Sequence, residues 1–81
     1  MIKVWEVIDK AVKKARRHHK DVILNFTTES SKGGYDTTVT FNVKKYNRVL
    51  SCELSVSDLI RAPYPEDYLD EKIEDLIRKV E

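Results

Sequence analysis

The sequence predicts an α+β fold, a two-layer αβββα arrangement with a three-stranded antiparallel meander and two helices packed on one face. Three observations carry this expectation. Apolar residues recur at helical spacing near both ends of the chain, they alternate with a period of two along three central runs, and the connections between the runs are short.

Near the start, Val4, Ile8, Ala11 and Ala15, flanked by Trp5 and Val12, take the i, i+4, i+7 spacing of one helical face, so a helix is expected over about 3–19. Its acids lie in the first half and its bases crowd the last turns, which suits the helix macrodipole. The period then changes. Val22, Leu24 and Phe26 alternate with Ile23, Asn25 and Thr27, giving a strand over about 22–28. Ser30–Gly34, with two serines, Lys32 and two glycines, breaks it with a connection longer than the tightest hairpin turns. Val39, Phe41 and Val43 alternate with Thr38, Thr40, Asn42 and Lys44, giving a second strand over about 38–45 with a solvated outer face. Lys45-Tyr46-Asn47-Arg48 reads as a hairpin turn, with Asn47 suited to a positive-φ position.

The third strand, about 49–56, carries Leu50, Cys52, Leu54 and Val56 on one face and Ser51, Glu53 and Ser55 on the other. Ser57-Asp58 is placed to cap a single helical turn through Leu59 and Ile60, and Pro63-Tyr64-Pro65 then forces extended backbone. Leu69, Ile73, Leu76 and Val80 repeat the helical spacing, so a second long helix is expected over about 66–80, with Pro65 near its first turn and Glu66 and Asp67 at its N-terminus.

Eighty-one residues form one expected domain, 1–81, which at 41% hydrophobic can fold without a metal or disulfide but with little stability to spare. A monomer or small homo-oligomer is expected. No run approaches the ~18 apolar residues of a membrane span and the N-terminus lacks a signal-peptide pattern, so no membrane partner and a cytoplasmic location are expected. The single Cys52 forms no internal disulfide, in keeping with a reducing compartment. It falls in phase with Leu50 and Leu54, where a free cysteine behaves as a small hydrophobe.

The formal charge of +1 hides an uneven distribution. Residues 1–20 carry seven bases against two acids, residues 21–65 balance, and residues 66–81 carry seven acids against three bases. Chain direction through a meander predicts roughly parallel helices. The end of the first helix, the second hairpin turn and the end of the last helix then gather most bases at one pole, and the acids collect at the other. The basic pole supplies nucleic-acid candidates: Lys13, Lys14, Arg16, Arg17, Lys20, Lys44, Lys45 and Arg48 for phosphates, with Tyr46 for stacking. The same basic run also reads as dipole complementarity and solvation. On the last helix, Glu66, Asp67, Asp70, Glu71, Glu74 and Asp75 are candidates for a basic protein partner, and equally describe a solvated face. Trp5, Tyr64 and Tyr68 serve either to anchor a partner or to close the core.

No catalytic or metal set emerges, and no cofactor is expected. His18 and His19 are adjacent, so on a helix they diverge by about 100° and do not converge on one ion. No Ser-His-Asp, Cys-His or paired-carboxylate context is recognisable, and Ser30-Ser31-Lys32-Gly33-Gly34 lacks the grammar of a phosphate-binding loop. An enzyme is not expected.

The helix–strand–strand–strand–helix order resembles the double-stranded-RNA-binding domain across nearly the whole chain, at the level of topology. That family places a lysine cluster at the start of its second helix. Here Pro65-Glu66-Asp67-Tyr68 stands there, so a standard member is disfavoured and no binding residues carry over. The size, high charge and αβββα order also look like small proteins encoded by phages and mobile elements, including anti-CRISPR inhibitors that block a type II effector nuclease with acidic surfaces imitating DNA. Glu66, Asp67, Asp70, Glu71, Glu74 and Asp75 are the matching feature, and the basic pole departs from the pattern. The resemblance implies a phage or mobile-element regulator or inhibitor acting on a protein partner. A non-enzymatic cytoplasmic binding module for a protein is therefore the leading expectation, with direct nucleic-acid binding through the basic pole as the alternative.

Overall fold

Residues 3–30 and 36–81 are described by the computed structural model. The elements are α1 (Val4–His18), β1 (Ile23–Ser30), β2 (Thr37–Lys45), β3 (Arg48–Ser55), α2 (Val56–Arg61) and α3 (Pro65–Val80). The strands form one antiparallel sheet in the order β1-β2-β3, with the helices on one face, as the sequence predicts. Ser30, expected in the first connection, closes β1 instead, and 31–35 lie outside the described residues.

The register explains the sheet's two faces. Leu24, Val43 and Leu50 form one cross-strand row, and Phe26, Phe41 and Cys52 the next. In a third row Thr28 lies beside Val39 and Leu54. These rows face the helices; Val39 and Phe41 have no exposed surface. The Phe26 and Phe41 rings meet at 6.0 Å between centroids, tilted by 45°. From above, Ile8, Val12, Leu69, Ile73 and Ile77 complete the core, each burial worth about 1.5–3 kcal/mol. Cys52 is half-buried against this core rather than enclosed by it.

Lys45 and Arg48 close a two-residue hairpin loop, so this pair exchanges both backbone hydrogen bonds and bonding alternates along the ladder. Val49, Ser51 and Glu53 therefore turn their N–H and C=O groups away from β2. On the opposite edge, the same alternation turns Leu24 and Phe26 outward. Within the loop the positive-φ residue is Tyr46, at φ 56°, and not Asn47 as expected. The first loop position takes the left-handed conformation, which a tight hairpin's twist requires even where glycine is absent.

Between sheet and last helix, the expected single turn is a six-residue helix, α2. Its N-cap is Ser55, whose hydroxyl oxygen accepts the Ser57 N–H at 3.1 Å, so Ser57-Asp58 lies inside the helix rather than before it. The Asp36 carboxylate ties this junction to the start of β2. It accepts the Ser55 and Ser57 hydroxyls at 2.6 and 3.0 Å and the Thr37 and Ser57 N–H groups at 2.8 and 3.3 Å. The Ser55 hydroxyl bond, with the other donors behind it, holds the Asp36 carboxyl below the usual carboxylate range.

Candidate interaction surfaces

Three contacts of α1 and its C-cap residue His19 with α3 establish how the charges meet. Lys10 lies 3.7 Å from Glu66, Lys14 lies 3.0 Å from Asp70, and the His19 ring lies 2.9 Å from Glu74. The partners advance together along both helices, so α1 and α3 run parallel, as chain direction predicts. The bases of the first helix are therefore set beside the acids of the last instead of standing apart from them. The segregation seen along the sequence becomes lateral pairing in space, because parallel neighbours bring their like-numbered turns together.

This pairing divides the acidic candidates. Glu66, Asp70 and Glu74 face α1, while Asp75 accepts Lys79 at 2.9 Å and Arg78 at 3.5 Å along its own helix. The Lys79 hydrogen bond holds the Asp75 carboxyl below its ordinary range, and the Asp70 hydrogen bond raises the Lys14 ammonium above its own. Asp67 and Glu71 make no ion pair among the described residues. Exposed pairs of this kind contribute little to stability, but they commit charge that a partner would otherwise meet.

The basic candidates divide in the same way. Lys13 pairs with Asp9 at 3.0 Å. The Arg16 guanidinium donates to the Leu24 carbonyl at 2.9 and 3.1 Å and reaches Asn25. Lys45 bridges Asp21 at 2.9 Å and Glu81 at 3.8 Å; its hydrogen bond to Asp21 raises the lysine and lowers the aspartate. Arg48 donates to the Lys79 carbonyl at 3.2 Å. Arg17, Lys20 and Lys44 make no ion pair among the described residues, and all three are exposed at the end where α1 finishes and β2 turns into β3. Tyr46, 86% exposed, stands at the same end.

Among the described residues the exposed large apolar side chains fall into two groups, and of these charge and periodicity left Ile23, Val49 and Ile60 unmarked. Ile23 and Val49 flank Lys44 in one cross-strand row of the open sheet face, near Tyr46. Trp5, Ile60 and Tyr64 stand at the opposite end, where α1 begins and α2 leads into α3. Of the aromatics weighed as core or anchor, Tyr68 packs against the core while Trp5 and Tyr64 remain 53% and 74% exposed. Beside Tyr64, a cleft of about 380 Å³ is lined by Val7, the Pro63–Pro65 elbow, Glu66 and Asp67. The elbow bends, with Tyr64 at φ −129° and ψ 81°, where extended backbone was expected, and the Tyr64 ring stays exposed between the two prolines. The signal was present in Pro63-Tyr64-Pro65, but nothing in the one-dimensional pattern placed Val7 opposite.

No protein-family model matches the chain. No match is found among curated proteins or solved structures either. The described residues contain no group of three or more His, Cys, Asp and Glu side chains placed to hold a metal ion, and no helix among them is long and apolar enough to cross a membrane.

Proposed function

We propose that the chain is a small non-enzymatic module that binds a partner protein, with the cleft at the start of α3 as its anchor site. The observation that carries this reading is the meeting of exposed aromatic and apolar surface with uncommitted acid. Tyr64 and Asp67 line one cleft, Trp5 and Ile60 are exposed at the same end, and Asp67 makes no ion pair among the described residues. Aromatic anchors beside a charged rim are the composition of an interface centre, whereas a purely solvated face has no need of exposed tryptophan and tyrosine. The charge-only surface drawn from sequence narrows accordingly, because four of its six carboxylates have partners within the chain. The phage or mobile-element regulator or inhibitor role belongs to this proposal, as does a cytoplasmic location.

Capture from a nuclease-treated lysate, with Tyr64→Ala and Asp67→Lys variants in parallel, tests it. A protein retained by the parent chain and lost from both variants is the expected result. Equal retention by the variants overturns the cleft as the site.

A second reading has its own support. Arg17, Lys20 and Lys44 come from two separate segments, make no ion pair among the described residues, and share an end with the exposed Tyr46 ring. This arrangement suits a phosphate backbone with one stacked base. It predicts a gel shift at low salt that weakens steeply as salt rises and is reduced by replacing Lys44. The absence of any shift at low salt sinks it.

A further inference from the structure

We propose that the free edge of β3 and the flank of α3 form a groove that takes an extended segment of a partner protein as an added strand. The two edges of the sheet are treated differently. At β1, the outward Leu24 carbonyl is occupied by the Arg16 guanidinium through two donors, which blocks a strand from docking there. At β3, the outward N–H and C=O groups of Val49, Ser51 and Glu53 have no hydrogen-bond partner among the described residues. An unpaired edge of this length is a template for β-strand addition, in which main-chain bonds supply affinity and alternate side chains supply specificity.

The side-chain half of the site lies beside that edge. Between β3 and α3 runs a groove of about 240 Å³ whose floor is Leu50, Cys52 and Leu76, with Lys72, Asp75 and Glu53 on its rim. A strand added to β3 points every second side chain onto this floor. The rim sets the charge of the occupant. Asp75 is committed to Lys79 and Arg78, and Glu53 alternates toward the open face of the sheet, whereas Lys72 makes no ion pair among the described residues and holds its ammonium 5.6 Å from the Tyr68 ring centroid. The occupant is therefore an extended segment with small apolar side chains at alternate positions and a carboxylate able to reach Lys72.

This site is separate from the Tyr64 cleft, and either can fail without the other. The test selects peptides against the full chain from a random-peptide display library and resynthesises the strongest binder. The expected binder alternates apolar and polar residues and carries an acid. N-methylation at alternate amides in one register should weaken it at least about tenfold, and in the other register leave it unchanged, because only one set of amides faces β3. Cys52, the single cysteine of the chain, serves as a built-in reporter on the groove floor. Saturating peptide should slow its reaction with a thiol reagent by at least about tenfold if the floor is covered. Ser51→Pro should abolish binding while the far-UV spectrum is retained, since an edge strand tolerates proline where its N–H faces outward. Tyr64→Ala should leave binding intact. Failure to select any peptide, insensitivity to N-methylation, an unprotected Cys52, or loss of binding in Tyr64→Ala would each overturn the proposal. A dimer in sedimentation that Ser51→Pro dissolves would overturn it in favour of a second copy.

Discussion

Replacing Tyr46 by glycine and, separately, by alanine distinguishes backbone strain from the loss of a side chain. Tyr46 holds φ at 56°, in the left-handed region, where a residue with a Cβ carries a penalty of about 1–2 kcal/mol. The ring is 86% exposed, so both substitutions forfeit the same small amount of burial and their difference reports the backbone alone. Glycine has no Cβ and relieves the strain, but it loses about 0.5–1 kcal/mol more conformational freedom on folding. The glycine variant should consequently be the more stable of the two by about 0.5–1 kcal/mol, and the sign is opposite to that at an ordinary strand or helix position. For a chain of 81 residues that difference corresponds to about 2–8 °C in Tm, within reach of thermal unfolding followed by circular dichroism. Urea unfolding on the same pair should give the same order with an unchanged slope. An alanine variant as stable as the glycine variant, or more so, would refute the left-handed assignment.

Three further outcomes follow from the packing and the junctions. Phe41→Ala removes the ring at the centre of the sheet's buried face and should cost about 3–5 kcal/mol in urea unfolding, a large share of the total expected for a chain this short. Ser55→Ala removes the α2 cap together with a hydroxyl donor to Asp36, and a loss of about 1–2 kcal/mol is expected from chemical denaturation. Asp36 has a lowered folded-state pKa, so the stability it contributes is present above its unfolded value, near 3.8, and is lost as pH falls through the lower folded value. Melting Asp36→Asn alongside the parent across this range should show a lower plateau near neutrality and a shallower acid decline, leaving the declines due to Asp21 and Asp75 in place.

Much of the fold was legible because period and direction are local properties that add up along a chain. The helical spacing of Ile8 and Ala11, and the alternation through Val39, Phe41 and Val43, decide which faces are buried, and short connections then force the helices parallel. Capping was less legible. Ser55 and Ser57 offer the same hydroxyl, and what starts the helix at Val56 is the Ser55 oxygen accepting the Ser57 N–H, at a junction that Asp36 ties down from a distant segment by bonds to both serines. The hairpin is hidden for a similar reason. Asn47 has the better intrinsic tolerance of positive φ, but the two-residue loop puts that demand on its first position, which Tyr46 occupies.

The candidate surfaces were legible as composition and illegible as arrangement. Counting located the charges on each segment, but which side of α3 faces α1 depends on helical phase, so the commitment of Glu66, Asp70 and Glu74 had no one-dimensional mark. The groove beside β3 was hidden for another reason. Leu50, Cys52 and Leu76 read as ordinary core positions in their own elements, and only the unoccupied edge between those elements leaves their outer flanks open.

The ladder of contacts that joins Lys10 to Glu66 and Lys14 to Asp70 also has a consequence for the order of events at the ribosome. α1 has its neighbour in a helix made after the sheet, so Ile8 and Val12 acquire their covering from Leu69 and Ile73 only once the three strands have been synthesised. The β2–β3 hairpin closes over two residues and needs no such wait, while docking of α1 against α3 must span the whole sheet in sequence. During that interval the apolar stripe of α1 lacks its α3 cover, so its full burial waits on residues synthesised more than fifty positions later.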